Sequence, residues 1–386
     1  MTRQRPPPAA EGHDLLGALQ PFQGAAAEAG SGAAQGESGA VEGERGGAVT
    51  VLPVGGVGGP AGGCGSQGSP VENPACGARV RVTSVSTCAR AALDLREPLA
   101  GTAATARTWL LIEQPGPWGA RALTASRLDA ALGAALEAAA DSTGVRVALI
   151  RRPGRRPAGP GGTRVLAAHT LPGHAWTRTV RLADPEALRT LDLPALGAGD
   201  PASFEALGGV AYDGPPLALV CTNGKRDACC AVLGRPLAEE LALTTPESVW
   251  EITHLGGHRF SPTLLVLPHG YAYGRSSAPE VREILRATAA GEVVVAGARG
   301  RSCWDRPGQA AELALRERLF DAGPDDLAVT GTEGAAPRWE VTLAHRDGRR
   351  WRVTVAEGAS HPPRPESCAG TPAAPRRMDV LAVRQL

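Results

Sequence analysis

The sequence predicts an α/β protein with a tail followed by two folded units, the second with the element order of a thioredoxin-like domain. Three observations carry this. The first 80 residues are dominated by Gly, Ala, Pro, Ser and Glu, with few large apolar residues. Such a segment cannot bury enough surface to offset the entropy of ordering it. From there on, short apolar runs bounded by Gly and Pro alternate with stretches whose apolar residues recur at helical spacing. In the second half these fall in the order β-α-β-β-β-α, which a thioredoxin-like domain also has.

The elements follow in sequence. Thr108 to Glu113 (TWLLIE) reads as a buried strand stopped by the breaker-rich QPGPWG. Leu128, Leu132 and Leu136 recur every fourth residue and predict a helix with one buried stripe, ended at Gly144. Strands are predicted at Val145 to Ile150, Thr163 to His169 and Trp176 to Leu182. After Gly214-Pro215-Pro216, Leu217 to Thr222 is a strand that runs into a polar loop. Pro236 suits the first turn of a helix to about Leu243. Val249 to Thr253, Thr263 to Leu267 and Tyr271 to Gly274 are strands, and Ala278 to Ala290 is a helix. A further helix spans Gly308 to Phe320, and a hairpin pairs Trp339 to Leu343 with Trp351 to Val355 across Asp347-Gly348. The predicted domains are 1–80 (disordered tail), 81–208 (α/β), 209–305 (thioredoxin-like) and 306–386 (helix and hairpin extension).

Composition narrows the function. The formal net charge is +1, so no global field draws in nucleic acid or an anionic membrane. Lys225 is the only lysine, and arginine carries the remaining positive charge; the runs Arg151-Arg152 and Arg155-Arg156 read as solvated surface. No apolar run approaches the ~18 residues needed to span a bilayer. No continuous apolar stretch follows Arg3 and Arg5, so a secretory leader is not expected. The expectation is a soluble, cytoplasmic protein whose 8 cysteines are reduced, so that clustered cysteines point to metal or redox chemistry. Cys64 and Cys76 lack ligand spacing, and Cys88 and Cys303 read as small buried hydrophobes. No Walker loop or GxGxxG follows a strand, which argues against a nucleotide site.

Two loops concentrate the metal-type ligands. CTNGKRDACC runs from Cys221 to Cys230, and THLGGHRF from Thr253 to Phe260. Both follow strands and carry glycine, which lets backbone approach a bound group. H-x3-H places His254 and His258 on one side of a tight turn. Thiolate with imidazole suits zinc or an iron–sulfur centre of mixed ligation rather than magnesium or calcium. The C-x8-C of Cys221 and Cys230 is wider than a zinc knuckle. Three readings stay open on spacing alone: a cluster with two irons to ligate, a single zinc, and no metal.

The residues reach a family at this point. CTNGKRDACC with THLGGHRF resembles the sucrase/ferredoxin-like proteins, which contain a thioredoxin-like 2Fe-2S ferredoxin domain. EPLAGTA (Glu97 to Ala103) and WLLIEQPGPW (Trp109 to Trp118) resemble the opening of that family. The resemblance covers roughly residues 85 to 300. It implies that Cys221 and Cys230 hold one side of a 2Fe-2S cluster and His254 and His258 the other, in place of the C-x3-C pair of all-cysteine relatives. Cys229 is not carried over as a ligand. No pair of carboxylates suited to glycoside hydrolysis stands out.

The implied function is electron transfer, with the chain acting as an oxidoreductase or as the protein redox partner of one. Neutral imidazoles in place of thiolates raise the potential. Because each keeps a second nitrogen for a proton, the potential is expected to depend on pH. Arg226, Asp227 and Arg259 adjoin the four ligands and are placed to hydrogen-bond them; the plainer reading is a surface ion pair. The runner-up is a zinc-stabilised interaction module without redox activity.

Overall fold

The computed structural model describes residues 87–154, 161–320 and 322–386. The predicted tail at 1–80, with Cys64 and Cys76, and the pair Arg155 and Arg156 lie outside the described residues.

A short helix α1 (Cys88–Asp94) precedes strand β1 (Thr108–Glu113), all of whose residues are buried. Helix α2 (Ala130–Ala140) follows, capped by Asp129, whose carboxylate accepts from the Ala131 and Leu132 N–H groups. Strand β2 (Val145–Arg151) returns parallel to β1; β3 (Thr163–His169) and β4 (Trp176–Leu182) then add antiparallel neighbours on the other side of β1. Two short helices, α3 (Leu193–Ala198) and α4 (Ala202–Glu205), and an edge strand β5 (Val210–Ala211) complete this half.

The second half repeats the pattern. Strand β6 (Leu217–Cys221), helix α5 (Arg235–Thr244) and the parallel strand β7 (Val249–Ile252) are followed by β8 (Thr263–Leu267), antiparallel to β6, and β9 (Tyr271–Gly274), antiparallel to β8. Helix α6 (Ala278–Ala289) and strand β10 (Ala298–Arg301) close it. All ten strands form one mixed sheet in the order β10-β9-β8-β6-β7-β2-β1-β3-β4-β5. The order β2-β1-β3-β4 thus mirrors β7-β6-β8-β9. Each half is the same β-α-β-β-β unit, and the two meet where β2 and β7 pair antiparallel.

That junction is short, with Ile150 opposite Ile252 and Arg151 opposite Glu251. Arg151 Nε and Nη2 both donate to Glu251 Oε2, at 2.8 and 2.6 Å, and Thr222 Oγ1 donates to the same oxygen at 2.6 Å. Arg151 also lies 4.1 Å above the Trp118 ring, whose Nε1 donates to the Gln114 carbonyl. Trp118 is therefore packed into the fold.

Both faces of the sheet are covered. Leu110 and Ile112 of β1 enter the core beneath α2, while Trp109 and Leu111 face the opposite core with Leu219, Trp250 and Leu265. Helix α7 (Arg306–Leu319) then leads to β11 (Leu327–Ala335), β12 (Arg338–His345), β13 (Arg350–Ala359), a two-stranded hairpin of β14 (Arg364–Pro365) and β15 (Pro372–Ala373), and β16 (Arg376–Gln385). Strands β11, β12, β13 and β16 form an antiparallel sheet against α7. The expected hairpin is its centre; β11 and β16 extend it on either side. None of the described helices is long and apolar enough to cross a membrane.

Candidate metal centre

Cys221 is the last residue of β6 and stands in register with Ile252 of the parallel neighbour β7. Loops that leave the same end of two adjacent parallel strands must lie side by side, which brings the cysteine loop against the histidine loop. After the loop, Cys230 begins a π-helical turn over Cys230–Gly234. Gly234 is required there, since a Cβ would stand 2.2 Å from the Cys221 carbonyl oxygen. The turn therefore packs directly on the Cys221 backbone and returns Cys230 to its partner.

The four predicted ligands come together. Cys221 and Cys230 Sγ are 3.5 Å apart and both are buried. The rings of His254 and His258 stack with centroids 4.5 Å apart. Cys230 Sγ lies 3.3 Å from His258 Nδ1. Gly256 and Gly257, at φ 79° and 71°, make the turn between the histidines in the left-handed region.

The surroundings shift the titration of these groups. The hydrogen bond with the Cys230 thiol lowers Cys221 to about 7 against the effect of burial, helped by the Leu255 and Asn223 N–H groups. Cys230 is pushed up by the same hydrogen bond with Cys221 and by its burial. Burial, with the neighbouring His258, Arg146 and Arg226, pushes His254 down to about 3, so it stays a neutral imidazole. Burial also lowers His258, opposed by the Asp227 carboxylate.

Of the adjoining charged residues, Arg226 is exposed and Asp227 is buried. Asp227 Oδ1 accepts the Cys229 N–H at 2.9 Å and Oδ2 the Cys368 N–H at 2.8 Å. Arg259 is buried in ion pairs with Glu97 at 2.7 Å and Glu366 at 2.6 Å. Glu97 also binds Arg364 at 2.7 Å, so one carboxylate ties the histidine loop to the β14–β15 hairpin.

Two arginines that the motifs do not reveal hold the histidine loop. Arg146 of β2 donates to the His254 carbonyl at 3.2 Å. Arg299 of β10 donates to the Gly256 carbonyl at 3.1 Å and to Thr102 Oγ1 at 3.1 Å. Burial lowers both guanidinium groups, and Cys221 acts on each in the opposite direction. They add positive charge beside the thiols. Nothing local marks either arginine, because each arrives from a strand distant in sequence. A cleft of about 630 Å³ opens beside His254, lined among others by Arg121, Arg146, Asn223 and Arg226.

Asp227, Cys230 and His258 present ligand atoms within 4.8 Å of one another. The described residues thus contain a buried group of Cys, Asp and His side chains able to chelate a metal ion.

A family model described as sucrase/ferredoxin-like matches residues 99–300, just over half of the chain. No curated protein and no solved structure matches it.

Proposed function

The chain belongs to the sucrase/ferredoxin-like family, and from that membership and the side chains gathered at the centre we propose that it is an electron carrier holding a 2Fe-2S cluster. The observation that carries the reading is the pairing of like with like: thiol beside thiol at 3.5 Å, imidazole stacked on imidazole at 4.5 Å. Cys221 and Cys230 would hold one side of the cluster, and His254 and His258 the other. The cluster supplies single-electron transfer when bound.

This chain's residues supply the rest. Burial of both thiols keeps water from the sulfurs, and N–H groups of Leu255 and Asn223 aim at Cys221. Arg146 and Arg299 fix the histidine loop and offset thiolate charge. His254 and His258, each giving one ring nitrogen to the centre, keep the other to hold or release a proton. The second β-α-β-β-β unit, within 209–305, serves as a thioredoxin-like ferredoxin scaffold. A protein redox partner reaches the centre through the cleft at His254, whose lining mixes Arg121, Arg146 and Arg226 with Glu137 and Asp141.

The second reading is a zinc-stabilised interaction module, favoured by the approach of Asp227, Cys230 and His258 within one-ion distance. The ultraviolet-visible spectrum of anaerobically purified full-length protein, before and after dithionite, separates them. Broad visible absorption that bleaches on reduction, with iron and sulfide present, is expected. A colourless protein that binds zinc and cannot be reconstituted with iron and sulfide turns the assignment to the second reading.

A further inference from the structure

Cys229 does not face the centre that its neighbour Cys230 serves. Its sulfur lies 3.4 Å from Cys88 Sγ and 3.2 Å from Cys368 Sγ, and Cys88 and Cys368 are themselves 3.6 Å apart. The three thiols come from α1, from the loop after β6 and from the β14–β15 hairpin. Cys88 and Cys229 are buried, while Cys368 sits at the exposed rim.

The three sulfurs form a closed triangle, no side of which is at the about 2.05 Å of a disulfide bond. An odd number of thiols cannot be fully paired by disulfides in any case. Tetrahedral thiolates at 2.3 Å from one zinc stand about 3.8 Å apart. The triangle is a few tenths of an ångström smaller than that frame and has its shape. A fourth donor is in place. The carboxylate of Asp227 lies with the three sulfurs in a group whose ligand atoms are all within 4.8 Å of one another. Its two oxygens accept the Cys229 and Cys368 N–H groups, so it is already fixed to two of the three ligand-bearing segments. Glu97, through Arg259 and Arg364, holds the same hairpin from the other side.

We propose that Cys88, Cys229, Cys368 and Asp227 form a structural zinc site separate from the Cys221, Cys230, His254 and His258 centre. Soft thiolates select zinc over magnesium or calcium. Asp227 also approaches Cys230 and His258, but its oxygens are engaged with the backbones of the zinc ligands, which assigns it here. The zinc staples α1 and the C-terminal hairpin to the loop that ends in Cys230. This proposal stands whether or not the other centre holds an iron–sulfur cluster, and it competes for Asp227 only with the zinc reading of that centre.

Zinc, iron and sulfide are measured on full-length protein, desalted after incubation with equimolar zinc. Wild type is compared with Cys368→Ser, Cys88→Ser, Cys221→Ser and, as a control, Cys303→Ser. Wild type and Cys303→Ser are expected to retain about one zinc per chain, falling roughly tenfold in Cys368→Ser and Cys88→Ser. Cys368 is exposed, so its variant remains readable even where Cys88→Ser fails to fold. Zinc that survives in Cys368→Ser but is lost in Cys221→Ser overturns the proposal, as does wild type that retains none. So does a pair of thiols missing when protein denatured without reductant is titrated, since that reports a disulfide. Iron and sulfide on the same samples judge the electron-carrier reading separately: a zinc that depends on Cys368 stands with or without them.

Discussion

Arg299 occupies the space that a side chain on Gly257 would need: a Cβ there would lie 2.2 Å from the Arg299 Nη2. Gly257 is also at φ 71°, so two constraints meet at one residue. Gly256, at φ 79°, has nothing within 4 Å of its Cβ position. Gly257→Ala is expected to cost about 2–3 kcal/mol and to lower metal loading, and Gly256→Ala about 1 kcal/mol. Urea denaturation with metal analysis checks this; equal costs would show that Arg299 yields freely.

Arg146 places a positive charge near Cys221 and holds the His254 carbonyl. Arg146→Gln is expected to keep the visible spectrum and to shift the midpoint potential to a more negative value, because the reduced centre loses a compensating charge. Redox titration against wild type is the measurement. A potential that does not move would mean the guanidinium serves the loop alone.

Glu251 joins the two halves of the sheet at a junction only two residue pairs long. Its side chain is 4% exposed and that of Arg151 11%. Glu251→Ala leaves the Arg151 guanidinium buried without its carboxylate, and about 3–5 kcal/mol of destabilisation is expected. Glu251→Gln, which keeps an acceptor for Thr222 and Arg151, should cost less. Equal losses in the two variants would point to packing rather than charge.

His169 and His269 give the protein an acid limit. Burial, with Arg107 and Arg301 respectively as next contributor, pushes each down to about 4 from 6.5. Between those values the unfolded chain binds more protons than the folded one. Stability is therefore complete above about pH 6.5 and is lost as pH falls towards 4. His169 Nδ1 lies 2.8 Å from Thr108 Oγ1, which in turn donates to the Leu196 carbonyl, consistent with a neutral ring. Denaturation midpoints at pH 7 and pH 5 should differ less in His169→Gln than in wild type; an unchanged difference would remove His169 from the effect.

The sequence alone determined the long strands and helices and the two loops of the candidate centre, but not α1, the short helices α3 and α4, or the strands β5, β10, β11 and β14 to β16. Apolar runs and helical stripes are local patterns, and TWLLIE, VRVALI and TLLVL became strands where those patterns put them. The two loops were legible because Cys221 ends β6 and His254 follows β7, strands joined by one helix, and such a crossover places their ends together. Only the tertiary structure decided which distant residues complete the site. Arg146 and Arg299 arrive from β2 and β10, and Cys88 and Cys368 stand 141 and 139 residues from Cys229. The antiparallel pairing of β2 with β7 also belongs to the tertiary structure. Spacing along the chain constrains neighbours within a turn or a crossover, whereas contacts at these separations depend on the order in which strands assemble, and no local pattern encodes that order.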